Sequence, residues 1–240
     1  MRQGKGLLAA AGVGGGDYVT DGLVLYYDAG ETTSYPGTGT TWTDLVSSIT
    51  ATLKNGTSYS SSNGGEMVFD GSNDYVQVST STAFNVSAAT FIVWLTLDDS
   101  SQSFYTGLLY ARGSGANVVN GVNLFGTTEK VGYTWNGDSN TYNFDSGLVI
   151  PAQEMCMVAA SVQSNFADLY LCRSSGTTSA RNNTNHGTTT IDNIEIGRDS
   201  WPFQSRYLDG SVPIAQLYNR ALSSTEINQN FNAFKSRFGL

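Results

Sequence analysis

From Gly22 onward, short apolar runs alternate with clusters of Gly, Asn, Asp, Ser and Thr. The apolar and aromatic run at 22–29, stopped by Gly30, predicts a strand. Glu66 to Phe69 and Asp74 to Val78 flank the turn Asp70-Gly71-Ser72-Asn73, the pattern of a hairpin or a tight strand corner. The most apolar stretch, Phe91 to Leu97, reads as a central strand ended by Asp98 and Asp99. Further strand patterns fall at 107–111, 121–125 and 130–135. Met155 to Val162 and Ala167 to Cys172 flank a second hairpin turn, and runs at 191–196 and 212–218 bring the total to about a dozen. Short strands at this spacing predict an all-β sandwich or jelly roll.

One helix is expected, over about 224–237. Ser223 and Glu226 have the spacing of a capping box, and Leu222 and Ile227 that of a hydrophobic staple. Ile227, Phe231 and Phe234 then recur on one helical face, which Phe238 extends.

Residues 1–20 carry no strand period and read as an extended Gly/Ala-rich arm ahead of a domain at 21–240. The apolar stretch at 7–11 is too short for a signal peptide and gives way to Gly14, Gly15 and Gly16. Arg2 and Lys5 are the only cations before Lys54, and Leu7, Leu8 and Val13 are small apolar anchors. This predicts an attachment device with a basic tip for an acidic neighbour, the alternative being an arm folded back on its own sandwich.

Composition sharpens the picture. Gly, Ser, Thr and Asn fill 100 of the 240 positions and charged residues only 13%, which suits turns and short strands more than helix bundles. A net charge of −8, with Lys and Arg scattered singly, argues against nucleic acid, and no apolar run is long enough to span a bilayer. Cys156 and Cys172 make neither a disulfide framework nor a zinc site, and both are expected to be reduced.

The run at 22–27, then Trp42-Thr43-Asp44-Leu45, then 68–76 together resemble the opening of laminin-G-like, concanavalin A-like jelly rolls. The stretch 208–223, with Glu226 and Ile227 behind it, is similar to that family's C-terminal signature, so the resemblance covers roughly Gly22 to Gly239. It implies a jelly-roll β-sandwich. The Gly-rich arm, with the segments 147–151 and 155–159, resembles laminin-G-like structural proteins of tailed bacteriophages. That likeness implies a virion structural or decoration protein, assembled in the host cytoplasm in many copies or as a homo-oligomer beside other virion proteins. The alternative on the same fold is a carbohydrate-binding adhesin. One departure is clear: 46–53 lacks the Gly and Asn that related domains carry there, so an ion or ligand role of that loop does not carry over.

The candidate chemistry is sparse. Retaining glycanases need two carboxylates about 5–5.5 Å apart, and no Glu-x-Asp-x-x-Glu triplet occurs. Asp192 and Glu195 have odd spacing, which on one strand sets them on opposite faces and reads as a solvated edge. His186 lies in a loop by composition, with no second ligand beside it. Catalysis is therefore not expected. Asp70, Asn73 and Asp74 offer hard oxygens for calcium, although the same residues suffice to make the turn. For a glycan, Trp135, Asp138 and Tyr142 form the first candidate group and Trp201 beside Phe203 the second, with core or subunit packing as the competing reading. Trp42 and Trp94 lie in apolar patterns and belong to the core.

Overall fold

The computed structural model describes residues 17–113, 118–204 and 206–240. In chain order the strands are β1 (Leu23–Asp28), β2 (Thr41–Thr43), β3 (Thr50–Lys54), β4 (Ser58–Ser60), β5 (Glu66–Asp70) and β6 (Tyr75–Val78). Then come β7 (Ala83–Val86), β8 (Ala89–Leu97), β9 (Gly107–Arg112), β10 (Val119–Leu124) and β11 (Val131–Thr134). A short helix, α1 (Ser139–Tyr142), precedes β12 (Cys156–Gln163), β13 (Phe166–Arg173) and β14 (Gly176–Asn182). The chain closes with β15 (Thr189–Asp192), β16 (Ile194–Ile196), β17 (Asp209–Tyr218) and α2 (Ser224–Phe234).

Two antiparallel sheets face each other. One has eight strands in the order β14-β13-β12-β8-β17-β5-β4, with β1 also on β17, and the other has seven in the order β11-β10-β9-β16-β6-β3-β2. β7 and β15 form a separate ribbon. Hairpin neighbours at the sheet ends combined with sequence-distant pairs at their centres, β8-β17 and β17-β5 in one and β9-β16 and β16-β6 in the other, make this a jelly-roll sandwich.

β8 shows why its sequence is apolar throughout. Phe91, Val93, Leu95 and Leu97 point between the sheets, whereas Ile92 and Trp94 point outward beneath α2. Phe231 stacks on Trp94 with ring centroids 5.4 Å apart, and Phe238 lies 4.7 Å from it. Burying each such ring contributes about 1.5–3 kcal/mol. The capping box forms: Ser223 Oγ accepts from Glu226 N at 3.3 Å, and Glu226 Oε2 accepts from Ser223 N at 2.8 Å. Arg220 holds the Glu226 carboxyl down at about 2. α2 ends at Phe234, and the expected extension to 237 is a 3-10 turn, Lys235–Phe238.

Three sequence expectations change. The single strand at 191–196 is two, because Asn193 adopts φ 51° and sends Ile191 to the ribbon and Ile194 to the seven-stranded sheet. Glu195 is therefore no solvated edge residue; it sits between β9 and β6 and is 2% exposed. The polar composition that marks a loop around His186 extends back to Arg181, yet Arg181 and Asn182 end the polar edge strand β14, whose backbone pairs with β13 along its whole length.

Arg2, Lys5, Leu7, Leu8 and Val13 lie outside the described residues. Residues 17–20, read as the base of the arm, lie on α2 and the eight-stranded sheet. Val19 N donates to Asn230 Oδ1 at 2.8 Å, Tyr218 Oη donates to the Val19 carbonyl at 2.8 Å, and Tyr18 stacks on Phe234.

Candidate functional site

The outer face of the seven-stranded sheet carries a row of side chains fixed by register. Gln77, Glu195, Tyr110, Gly121 and Thr134 stand opposite one another on five adjacent strands. Their neighbours Leu109, Ala111, Val122 and Tyr133 alternate inward to the core. Tyr110 lies across Gly121 and its Oη donates to Thr134 Oγ1 at 2.8 Å. A Cβ on Gly121 would meet the Leu109 carbonyl oxygen at 2.4 Å, and its φ of 143° already favours glycine.

Over this row lies a strap closed by the Arg198–Tyr207 bridge. Its root is Asp199, 1% exposed, which accepts from Arg112 Nε at 2.6 Å and Nη2 at 2.9 Å, and also from Arg206 Nη1. Beside this trio Glu195 pairs with Arg198, whose guanidinium lies 3.7 Å from the Tyr75 ring centre. Burial pushes the Glu195 carboxyl up, and Arg198 opposes the rise. At the strap's tip Trp201 is 37% exposed and Phe203 81%. Trp201 lies 4.8 Å from the Arg112 guanidinium and 5.3 Å from that of Arg206.

Together these residues enclose a cleft of about 620 Å³ walled by Phe104, Tyr105, Tyr142 and Trp201, with Tyr110 as floor. Tyr105 meets Tyr142 edge-on at 6.2 Å, and its Oη donates to Asn143 Oδ1 at 3.2 Å. Arg112 and Arg206 are the charged residues in the lining. The cleft has the makings of a sugar site: aromatic faces for apolar C–H surfaces, with fixed polar groups at the rim.

Of the four residues expected to bind glycan, the structure brings Tyr142 and Trp201 together. Trp135 is corrected: it continues the inward alternation of Val131 and Tyr133, is 1% exposed, and donates its Nε1–H to the Gly187 carbonyl at 2.7 Å. The polar residues that follow make a turn instead of a shelf. Asn136 has φ 53°, and Asp138 caps α1 by accepting from Asn140 N at 2.8 Å. Asp138 lines a separate polar depression with Asn85, Ser87 and Thr188. Sequence reasoning missed Tyr105, Arg112 and Arg206. The one available signal was the alternation Tyr110-Ala111-Arg112 at the end of β9, which puts Arg112 two positions after Tyr110 and hence on its face.

The other candidates resolve locally. Asp70 Oδ1 accepts from Ser72 N at 2.9 Å and Asn73 N at 3.4 Å, which is turn-making, and Asp74 is buried and accepts from Asp70 N at 3.3 Å. No group of three His, Cys, Asp or Glu side chains converges among the described residues. His186 does sit in a loop but is 6% exposed. Its Nδ1 lies 2.8 Å from the Gln163 carbonyl, which only accepts, so Nδ1 carries the proton and Nε2 accepts from Tyr133 Oη at 3.0 Å. Burial lowers the His186 pKa.

A laminin-G family model, described as the concanavalin A-like lectin/glucanases superfamily, matches residues 70–228. No curated protein matches the sequence. Among solved structures, domain 4 of AbnA, an extracellular GH43 arabinanase from Geobacillus stearothermophilus in complex with arabinotriose, aligns at TM-score 0.64 and 14% identity, covering 88% of this chain and 98% of that one. Trypanosoma rangeli sialidase in complex with the inhibitor DANA aligns at TM-score 0.59 and 18% identity over 90% of this chain. This chain spans only 33% of the sialidase. A botulinum neurotoxin type C structure, whose cell entry depends on two ganglioside molecules, aligns at TM-score 0.56 and 11% identity over 89% of this chain and 51% of that one. At these identities the likeness is one of fold.

Proposed function

The chain belongs to the concanavalin A-like lectin/glucanases superfamily, and from that premise we propose that it is a non-catalytic carbohydrate-binding module. The observation that carries this reading is the cleft on the outer face of the seven-stranded sheet, where Tyr105, Tyr142 and Trp201 surround two guanidinium groups. Pyranose rings present apolar C–H faces to aromatic rings and hydroxyls to amides and guanidinium groups, and both kinds of partner are in place here. The arabinanase domain solved with arabinotriose has nearly this chain's span, and the proposal extends sugar binding from that relative to this chain.

The same geometry supports binding without cleavage. Most glycosidic hydrolysis uses two carboxylates flanking the bond. Glu195 and Asp199 are the acids beneath the cleft, both are buried, and both are engaged by arginines. Residues 17–20 dock on the opposite outer face, against α2. Attachment through the segment ahead of residue 17, the role its Gly-rich composition suggests, would suit display of a sugar site on a particle.

The test is a titration of the full chain with a panel of neutral and acidic oligosaccharides, with Trp201→Ala and Tyr142→Ala as variants. Binding by at least one sugar is expected, weakened roughly 3- to 10-fold by each variant. No binding across the panel, or unchanged affinity in both variants, would overturn the module reading. Reducing-end release from laminarin, agar or alginate, lost in Glu195→Gln, would overturn its non-catalytic part.

A further inference from the structure

We infer that the ligand of this cleft is an acidic glycan, one bearing a carboxylate or a sulfate ester, read by Arg112 and Arg206; the inference rests on the module reading above. The chain as a whole carries a net charge of −8, yet the charged residues lining this cleft are two arginines. Beneath them a single carboxylate, Asp199, serves both guanidinium groups. One negative charge against two positive ones leaves the trio with a formal excess of one cation.

The geometry says where that excess is directed. Asp199 takes Nε and Nη2 of Arg112 and Nη1 of Arg206. Arg112 Nη1 and Arg206 Nη2 are the terminal nitrogens left over from this pairing. Arg206 Nε is buried and has no acceptor among the described residues, a costly state for a donor on a charged group. The two side chains are only 17% and 12% exposed, so an anion entering the cleft meets them partly desolvated. There a charge-assisted bond is stronger than on an open surface.

The surrounding rings also favour this ligand. Trp201 lies near both guanidinium groups, and Phe104 and Tyr105 lie 5.7 Å and 5.3 Å from that of Arg206. Guanidinium groups held between Asp199 and aromatic rings keep a fixed plane, and a planar fork matches the paired oxygens of a carboxylate or sulfate. A neutral sugar would use the rings but leave the excess charge and the unpaired Nε unanswered.

The experiment is calorimetric titration with matched pairs: oligogalacturonate against its methyl ester, and a sulfated galactan oligosaccharide against its desulfated form. The acidic member of at least one pair is expected to bind about tenfold more tightly at 50 mM salt, an advantage that shrinks at 500 mM. The pair showing the effect identifies carboxylate or sulfate as the anion. Arg206→Gln should abolish the preference, and Arg206→Lys, which keeps the charge but not the fork, should restore only part of it. Thermal melts of both variants confirm that they fold. Equal affinity for acidic and neutral members would overturn the inference while leaving the module reading intact, whereas no binding by any of the four sugars would sink both.

Discussion

Asn230 on α2 joins three parts of the fold, and replacing it by alanine is the sharpest test of that junction. The side chain is fully buried; its Oδ1 accepts from Val19 N at 2.8 Å and its Nδ2 donates to Tyr218 Oη at 3.0 Å. Tyr218 Oη in turn donates to the Val19 carbonyl at 2.8 Å, closing a triangle of strand, helix and incoming chain. Asn230→Ala leaves the Val19 N–H without an acceptor, at about 1–3 kcal/mol, and a small void adds to that. The expected total is about 2–4 kcal/mol, or roughly 4–16 °C in Tm for a domain of this size. Urea titration followed by tryptophan fluorescence should show a lower midpoint with an unchanged slope. Tyr218→Phe should cost about as much, and the double variant clearly less than the two together, because both variants break the same triangle. A loss below about 0.5 kcal/mol, or strict additivity, would show that residues 17–20 are not held as described.

Other expectations concern titration, thiols and backbone. Burial places the native His186 pKa below its ordinary 6.5, so between the two values the unfolded chain binds a proton that the folded chain refuses. Its contribution to stability should be complete above about pH 6.5 and fall away in acid; unfolding curves that slope identically in the wild type and His186→Gln between pH 5 and 7 would disprove this. Register sets Cys172 opposite Met157, so it shares that residue's face beneath α2 while Cys156 points between the sheets. Burial raises both thiols, Cys172 to about 11, and neither should react with Ellman's reagent at pH 8 until urea is added; a Cys156–Cys172 disulfide in the native protein would contradict the assignment of faces. Gly121→Ala, which drives a methyl group against the Leu109 carbonyl, should cost roughly 2 kcal/mol or more, and a melt unchanged from wild type would count against the close approach of β9 and β10.

The features legible in the sequence are those fixed within a few residues. Ser223 and Glu226 form a capping box because the bond partners are three positions apart on one turn. Asp70-Gly71-Ser72-Asn73 makes its turn through hydrogen bonds from the backbone of Ser72 and Asn73 to Asp70 itself. Phe91 to Leu97 announces a central strand because both faces of that strand are covered. By the same logic β14 was hidden: an edge strand reading Gly-Thr-Thr-Ser-Ala-Arg-Asn is held by backbone pairing to β13, which needs little apolar surface.

Trp135 and Glu195 mark where local reasoning stops. The polar residues after Trp135 suggested a surface shelf, yet the alternation of β11 carries the ring inward, and a wrong face follows from a one-residue error of register. Glu195 looked like an edge residue until pairing placed β9 on one side of it and β6 on the other. The cleft belongs to the same category. Arg112 and Asp199 are 87 positions apart, Trp201 shares Asp199's strap, and Tyr105 and Tyr142 come from two further segments. Hydrophobic periodicity, turn chemistry and capping act between near neighbours, so the sequence by itself determined the sandwich, its hairpins and its helix. Strand order and register bring distant residues to one face, and only the tertiary structure decided that two arginines and one buried carboxylate would meet among those rings.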